Sequence, residues 1–208
     1  MSGARLTPLP GFIKRRHFTA GQTIALFGGS FDPPHAGHRL LAEAALRQLQ
    51  VDKVWWLPAP QNPLKSHQPG TMATRLVATE RLAQHPRFLV SDEETRLGTH
   101  YAIDTVRALQ QLYPHVGFIW LIGSDNLQHM HRWRNWEALM QTVPLAVYPR
   151  PGSSHKAAFS QAAQRFAAYR VAAEDAPLLA SRKAPAWCLL EGVTSPLASS
   201  ALRRQNEH

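Results

Sequence analysis

Cysteine is almost absent from the 208-residue sequence, which contains only Cys188. A single thiol excludes a disulfide within the chain and is typical of a protein that works in the reducing cytoplasm. The sequence also lacks any apolar run near the roughly 20 residues that a membrane-spanning helix requires. Residues 1–21 contain no apolar segment of the kind found in signal peptides. We therefore expect a cytoplasmic protein without a membrane partner.

Acidic residues are also scarce, since 14 Asp and Glu are set against 23 Lys and Arg, for a formal net charge of +9. Such an excess favours anionic ligands, among them nucleic acids, anionic membranes and phosphorylated small molecules. The basic clusters at 14–17 and 203–204 are short and lack the interleaved aromatic side chains that stack on single strands. We expect no stable nucleic-acid partner. A homo-oligomer is compatible with the sequence.

Length and composition fit one globular domain. Hydrophobic residues make up 44% of the sequence and charged residues 18%, which is typical of a chain that buries a core. We interpret residues 1–21 as a basic N-terminal arm. Residues 22–208 are predicted to form a single domain.

Short apolar runs alternate with segments that have helical spacing. Strands are predicted at 24–27, 54–57, 88–90, 116–122, 145–148 and 187–190. Runs of this kind are typical of strands covered on both faces. Their alternation with helices predicts an α/β protein with a Rossmann-like, doubly wound parallel sheet. In such sheets ligands bind beyond the carboxyl ends of the strands.

The loop after the first strand, residues 28–38, combines glycines, prolines and histidines. Gly28 and Gly29 are predicted to turn the chain and to let the backbone approach a ligand closely. The apolar spacing beyond the prolines predicts a helix that begins near His35, whose free amides and dipole would attract an anion. His35 and His38 are three residues apart and would face that anion together.

This histidine pair has two other interpretations, half of a metal site or a polar helix face. A metal site needs further ligands, and the lone Cys188 lies far downstream. The glycine-rich loop before the histidines favours a site that stabilises charge on a phosphorus centre.

Residues 28–38, GGSFDPPHAGH, resemble the signature of the bacterial nicotinate mononucleotide adenylyltransferases, within the His-x-Gly-His nucleotidyltransferase superfamily. The resemblance implies the nucleotidyltransferase fold and an enzyme of NAD biosynthesis. It implies that ATP and nicotinate mononucleotide react to form nicotinate adenine dinucleotide and pyrophosphate. Mg²⁺ would be bound mainly through the ATP phosphates, without metal ligands from the protein.

Three further segments resemble motifs of the same family. Asn62 and Lys65 lie in a segment similar to Asn-Pro-x-Lys and would bind the mononucleotide phosphate, although a lone lysine in a polar loop is more often solvated. Thr99 opens a segment similar to Thr-x-Tyr-x-x-Asp-Thr, and we expect it both to cap a helix and to contact the nicotinate. Gly123 and Asp125 lie in a segment similar to Ile-Gly-x-Asp, which favours a ribose contact for the carboxylate over a helix cap.

Two tryptophans follow that segment. Trp133 resembles the nicotinate-stacking tryptophan of the family, since a flat indole near a cleft can pack on a pyridine ring. The backbone amide of Arg134 would then meet the nicotinate carboxylate. Trp136 has Leu139 and Met140 nearby in the sequence and is predicted to pack in the core.

Residues 197–203, LASSALR, resemble the second signature of the family, Ile-Ser-Ser-Thr-x-Ile-Arg. Serines before a helical turn and an arginine after it can hold phosphate oxygens. Ala198 departs from the signature and removes one hydrogen bond, whereas Ser200 keeps the hydroxyl group of the threonine. The resemblance implies that His35, His38 and Arg203 are catalytic. The implied ATP-binding residues are Gly28, Gly29, Ser30, Phe31, Gly37, His38, Gly123, Asp125, Ser199, Ser200 and Arg203.

No candidate covalent nucleophile lies in the first loop, which favours direct in-line displacement. Two alternatives stay open. Pantetheine-phosphate adenylyltransferase shares the His-x-Gly-His motif but does not require Thr99, Trp133 and the loop at 62–65 together. A nucleotide-sensing or nucleic-acid-binding module would instead use the basic arm, and salt-sensitive RNA binding would support it.

Overall fold

The computed structural model describes residues 16–60, 70–150 and 153–192. The strands in these ranges are β1 (Thr23–Gly29), β2 (Lys53–Pro58), β3 (Phe88–Val90), β4 (Gly117–Gly123), β5 (Leu145–Tyr148), β6 (Arg170–Val171) and β7 (Trp187–Leu189). The α-helices are α1 (Ala36–Gln48), α2 (Met72–Leu82), α3 (Glu93–Leu97), α4 (Ala102–Leu112), α5 (Ser124–His129), α6 (Trp136–Thr142), α7 (Ser154–Ala158) and α8 (Gln161–Arg165). Short 3-10 helices lie at Met130–Arg132, Ala167–Tyr169 and Ala176–Ser181. Within the described ranges, every helix is too short or too polar to cross a membrane.

All seven strands form one parallel sheet in the order β3-β2-β1-β4-β5-β7-β6. From β1 the chain adds β2 and then β3 on one side of the sheet. It then returns to the other side of β1, where β4 to β7 extend the sheet, so the direction of winding reverses between β1 and β4. In a doubly wound sheet this reversal opens a crevice for ligands at the carboxyl ends of the two strands. The predicted α/β class, with a Rossmann-like parallel sheet in a single domain, is confirmed.

Side chains alternate between two buried clusters, one on each face of the sheet. Ile24 and Leu26 of β1 pack with side chains of α4, α5 and α6. Ala25 and Phe27 point to the opposite face and pack with side chains of α1. Because both faces are covered, the longer strands are continuous apolar runs, and six of the seven are predictable from the sequence.

Several short elements are not predicted by the sequence, among them β6 and α3. β6 has only two residues, too few for a periodic signal. The single helix predicted near 159–169 is instead two short elements, α8 and the 3-10 helix Ala167–Tyr169. Another unpredicted element is α3, whose first residues Glu93 and Glu94 have the pattern of a polar loop. Both glutamates are nevertheless buried, at 0% and 5% exposure.

Two predicted turn and cap features are wrong. Gly28 and Gly29 do not turn the chain, because both lie within β1 and pair with the end of β2. The turn follows at Phe31, whose φ of 44° lies in the left-handed region. Thr99 does not cap a helix, because α4 has Tyr101 at its N-cap position and the Thr99 hydroxyl bonds elsewhere.

Residues just before β1 pack on the domain. Phe18 is 6% exposed, and its ring centroid lies 5.5 Å from that of Trp55 and 5.0 Å from that of Tyr113. The guanidinium of Arg16 lies 5.3 Å from the centroid of the Trp55 ring. The described part of the predicted arm therefore contributes to the core.

Candidate active site

A cleft of about 490 Å³ opens at the carboxyl ends of β1 and β4, and this volume is in the range of small-molecule sites. The end of β1, the first turn of α1, the segment before α4 and the segment after α5 all contribute to its lining. Of the residues predicted from the sequence, the structure brings to this cleft Gly28, Gly29, Ser30, Phe31, His38, Asp125, Trp133 and Arg134. The cleft therefore coincides with the reversal of strand order.

The turn of the first loop depends on Phe31. A non-glycine residue at this positive φ costs on the order of 1–3 kcal/mol and needs support from its surroundings. Its ring is 1% exposed and packs against the rings of Phe27, Trp56 and His38 at centroid distances of 5.1, 5.3 and 5.1 Å. Because the ring is buried, Phe31 can contact a nucleotide only through its backbone.

His38 is oriented by the start of α1. The backbone N–H of His35 donates a hydrogen bond to Nδ1 of His38 at 3.1 Å. An accepting Nδ1 places the proton of the neutral imidazole on Nε2. The two imidazole rings stack with centroids 3.7 Å apart. His38 therefore enters the cleft as a fixed hydrogen-bond donor.

The surroundings of His35 favour its neutral form. Burial lowers its pKa, and the positive charge of Arg150 lowers it further, while Asp125 acts in the opposite direction. Its Nδ1 atom is buried and has no hydrogen-bond partner among the described residues. His35 is not among the residues that line the cleft, and it forms a capping box with His38 at the start of α1.

Gly123 makes room for an ion pair at the end of β4. A Cβ atom on Gly123 would collide with Oδ1 of Asp125 and would lie 2.7 Å from Nε of Arg150. Arg150 Nη1 lies 3.2 Å from Asp125 Oδ2. Gly123, not Asp125, is the N-cap residue of α5, and Asp125 Oδ1 has no hydrogen-bond partner among the described residues. The Asp125 side chain is 44% exposed and lines the cleft, where its carboxylate can accept a hydrogen bond from a ligand hydroxyl group.

Arg75, on α2, joins the loops that follow β1 and β2. Its side chain is 3% exposed. Nη1 donates to the carbonyl oxygens of Ser30 and Ala59 at 2.8 and 2.7 Å, and Nη2 donates to that of Pro60 at 3.3 Å. Nε donates to the carbonyl oxygen of Gly70 at 2.9 Å. A single buried guanidinium thus fixes the first loop of the cleft against the segment that leads to Asn62 and Lys65.

Aromatic side chains line the cleft beyond α5. Trp133 and Tyr101 are partly buried and pack against the core. The guanidinium of Arg134 lies 4.7 Å from the centroid of the Tyr101 ring. Trp136 packs against Phe166 at a centroid distance of 5.9 Å, as the core prediction requires. Of Trp133 and Trp136, only Trp133 is among the residues that line the cleft.

Thr99 lies behind the cleft and does not line it. The side chain is 9% exposed, and its hydroxyl oxygen lies 2.8 Å from that of Thr105. The hydroxyl group of Thr105 also donates to Glu94 Oε1 at 3.2 Å. Glu94 is the member of this chain of hydrogen bonds that lines the cleft. A nicotinate contact through Thr99 stays a prediction.

Five residues predicted for the site lie outside the described residues. They are Asn62, Lys65, Ser199, Ser200 and Arg203. Gly37 is in the described first turn of α1, next to His38, and contributes no side chain.

Sequence reasoning missed Arg75, Glu94 and Arg150. A signal existed for Arg150, which follows a predicted strand at the edge where ligands bind. Arg75 and Glu94 have no such signal, because a lone arginine in a helix and a glutamate in a polar run are usually solvated.

A second cavity, of about 600 Å³, lies between Ala168 and Ala186. Arg170 and Ala186, at the amino ends of β6 and β7, belong to its lining. It is therefore at the opposite edge of the sheet from the His38 loop and is not part of the candidate site.

The cytidylyltransferase-like family model matches residues 26–205. With the parallel sheet and the His-x-Gly-His loop at the reversal of strand order, this match defines the chain as a nucleotidyltransferase. A curated relative from Ruegeria sp. (strain TM1040), named "Probable nicotinate-nucleotide adenylyltransferase", is 44% identical over 183 residues, which are 88% of this chain and 97% of the relative. The chain belongs to the nicotinate-nucleotide adenylyltransferase family.

Other comparisons agree with this family. A relative of the same name from Caulobacter sp. (strain K31) is 48% identical over 181 residues, which cover 86% of this chain and 96% of the relative. A solved structure of Plasmodium falciparum nicotinic acid mononucleotide adenylyltransferase complexed with NaAD has a TM-score of 0.63 at 14% identity, covering 84% of this chain and 76% of that one. At this identity the solved structure supports the fold alone.

Proposed function

We propose that this enzyme transfers the adenylyl group of ATP to the phosphate of nicotinate mononucleotide, in NAD biosynthesis. The products are nicotinate adenine dinucleotide and pyrophosphate. The observation that carries the proposal is that a fixed imidazole donor, His38, and an aromatic face, Trp133, line one cleft. The first suits a phosphate group and the second suits a pyridine ring.

At the phosphate end, His38 donates a hydrogen bond from Nε2 to an oxygen of the transferring phosphate. Charge on the phosphate oxygens changes as the phosphorus is attacked, and a donor fixed beforehand stabilises that charge without reorganising. His35 supplies the second imidazole. Arg203 would hold the leaving pyrophosphate together with the hydroxyl groups of Ser199 and Ser200.

At the nucleoside ends, each ligand group has a proposed partner. The Asp125 carboxylate accepts a hydrogen bond from a ribose hydroxyl group of ATP. Lys65 and Asn62 hold the attacking phosphate. Trp133 stacks on the pyridine ring, and the backbone N–H of Arg134 donates to the nicotinate carboxylate.

The transfer proceeds in one displacement. A new bond forms between a phosphate oxygen of the mononucleotide and the α-phosphorus of ATP, while the bond to the pyrophosphate oxygen breaks. The only thiol of the chain offers no covalent route, because Cys188 is buried in β7 and burial raises its pKa to about 11.

Mg²⁺ fits this site as a companion of the ATP phosphates. Over the described ranges, no three His, Cys, Asp or Glu side chains are grouped to hold a metal ion. A Mg²⁺ ion that keeps its waters and binds phosphate oxygens needs no such group. When bound, it neutralises charge on the phosphates.

We also propose a cytoplasmic location without a stable nucleic-acid partner, supported by the single buried cysteine and the small-molecule cleft. The division into a basic arm at 1–21 and a nucleotidyltransferase domain at 22–208 is part of the same proposal.

The reaction is tested with ATP labelled at the α-phosphorus, Mg²⁺ and nicotinate mononucleotide. We expect label in the dinucleotide, an equimolar release of pyrophosphate, and no exchange of labelled pyrophosphate into ATP when the mononucleotide is omitted. Label on the protein would contradict direct displacement. Absence of the dinucleotide would reject the proposal.

Replacing Trp133 by alanine is expected to raise the KM for nicotinate mononucleotide about tenfold, because stacking and ring burial contribute on the order of 1.4 kcal/mol. The KM for ATP should change less than about twofold, since the adenylyl group binds at the other end of the cleft. Steady-state kinetics with each substrate varied separately measures both values. The Trp133→Phe variant keeps an aromatic face and should recover most of the affinity. An equal rise in both KM values would instead indicate a loss of folding.

A further inference from the structure

Glu94 lies in the cleft but has no part in the transfer described above. It is 5% exposed and lines the cleft together with Tyr101, Trp133 and Arg134. Carboxylates are rarely buried without a cationic partner, because losing water disfavours the charged form. A glutamate at this depth, beside the proposed pyridine site, therefore needs an explanation.

Hydrogen bonds fix the carboxyl group against α4. Oε1 accepts a hydrogen bond from the Thr105 hydroxyl group at 3.2 Å. That hydroxyl oxygen also lies 2.8 Å from the Thr99 hydroxyl oxygen and 3.3 Å from the carbonyl oxygen of Tyr101. These contacts hold the Glu94 carboxyl group in place at the cleft. The neutral acid is thus a donor in a fixed position.

The surroundings do not stabilise the charged form. Other charged or titratable groups lie on α3, on β2 and α4, which pack against α3, and along the cleft. They are Asp92, Glu93, Arg96, Lys53, Asp104, Arg107, His38, His100, Tyr101, Asp125, Arg132, Arg134 and Arg150. Glu93 pairs with Arg96 at 3.1 Å. Burial raises the pKa of Glu94 to about 7, and the Thr105 hydrogen bond lowers it only in part.

We propose that Glu94 determines specificity at the C3 substituent of the pyridine ring. The neutral acid donates a hydrogen bond to the nicotinate carboxylate, whereas the ionised form repels that carboxylate and accepts a hydrogen bond from a carboxamide. This inference rests on the proposed function, which places a pyridine ring against Trp133.

The preference for the acid substrate then depends on pH. Raising the pH through neutrality ionises Glu94, and two carboxylates in one buried site repel each other. Binding of nicotinate mononucleotide above neutral pH must therefore take up a proton. The carboxamide is uncharged and imposes no such requirement. The ratio of the two activities, acid over amide, falls as the pH rises.

The experiment compares kcat/KM for nicotinate mononucleotide and nicotinamide mononucleotide at about pH 6 and about pH 8.5. Titration of the phosphates acts on both substrates equally and cancels in the ratio, and the Glu94→Gln variant separates Glu94 from the other groups of the cleft. We expect the ratio to fall about thirtyfold in the wild type, as the neutral fraction of a group with a pKa of about 7 falls over this range. The Glu94→Gln variant keeps the shape and a donor, and its ratio should not change with pH. The Glu80→Gln variant, on the exposed face of α2, should behave as the wild type.

Calorimetry gives a second readout that does not depend on turnover. At about pH 8.5, titration in two buffers of different ionisation enthalpy should show about one more proton taken up with nicotinate than with nicotinamide mononucleotide. Glu94→Gln should abolish that difference. An active wild type with a constant ratio and equal proton uptake would overturn the role of Glu94 and leave the proposed function standing. No dinucleotide and no binding of either mononucleotide would overturn both.

Discussion

The His38→Ala variant is expected to lose about 10²–10³-fold in kcat, with both KM values within about threefold of the wild type. The Nε2 donor is held in place by the His35 backbone N–H, which binds Nδ1 at 3.1 Å. The imidazole therefore requires no reorganisation when charge develops on the phosphate. Removal of the imidazole should therefore raise the free energy of the transition state more than that of the bound substrates. Initial rates of pyrophosphate release, with each substrate saturating, measure the loss.

A fold control separates this effect from a loss of structure. His38 also completes the N-terminus of α1, so its removal should cost about 1 kcal/mol of unfolding free energy. His129→Ala changes an exposed histidine at the end of α5, outside the cleft, and should keep full activity. A folded His38→Ala protein with more than half of the wild-type kcat would show that the transfer does not depend on this imidazole.

Replacing Arg75 by alanine is expected to lower the free energy of unfolding by about 3 kcal/mol, because four carbonyl oxygens lose their donor. For a chain of this size, the thermal midpoint should fall by about 6–12 °C. Since the guanidinium binds the carbonyl oxygens of Ser30 and Ala59, the KM for each substrate should rise as well. Thermal unfolding and steady-state kinetics measure the two effects.

Two variants make the test specific to the guanidinium. Arg75→Lys keeps the charge but cannot bond several carbonyls at once, so it should recover less than half of the lost stability. Arg81→Ala, on the exposed side of the same helix, should shift the midpoint by less than about 2 °C. An Arg75→Ala protein as stable as Arg81→Ala would contradict the account of the joined loops.

The main strands were predictable because they are buried on both faces. β1 and β4 contain Leu26 and Ile119, both 0% exposed, within continuous apolar runs that few other structures would accommodate. The place of the loop at 28–38 beside the cleft was predictable because its glycines and histidines follow the carboxyl end of a strand. Once the strands are parallel, their carboxyl ends must meet at one edge, which also places Asp125 near that loop.

Other features depend on contacts between distant segments. Phe31 adopts a positive φ because Phe27 and Trp56 hold its ring, and neither contact has a local signal. Arg75 is buried only because the loops that follow β1 and β2 present their carbonyl oxygens to it. Glu94 becomes a cleft residue because α3 packs on α4, although its sequence neighbours are polar. In each case tertiary packing overrides the local preference.

The most direct test of the central claim is the choice of acceptor. We would measure initial rates of dinucleotide or coenzyme product formation from ATP, at neutral pH, with equal concentrations of nicotinate mononucleotide, nicotinamide mononucleotide and 4′-phosphopantetheine. We expect rapid turnover with nicotinate mononucleotide, slower turnover with its amide and none with phosphopantetheine. Turnover with phosphopantetheine alone, or with none of the three, would contradict the proposed function.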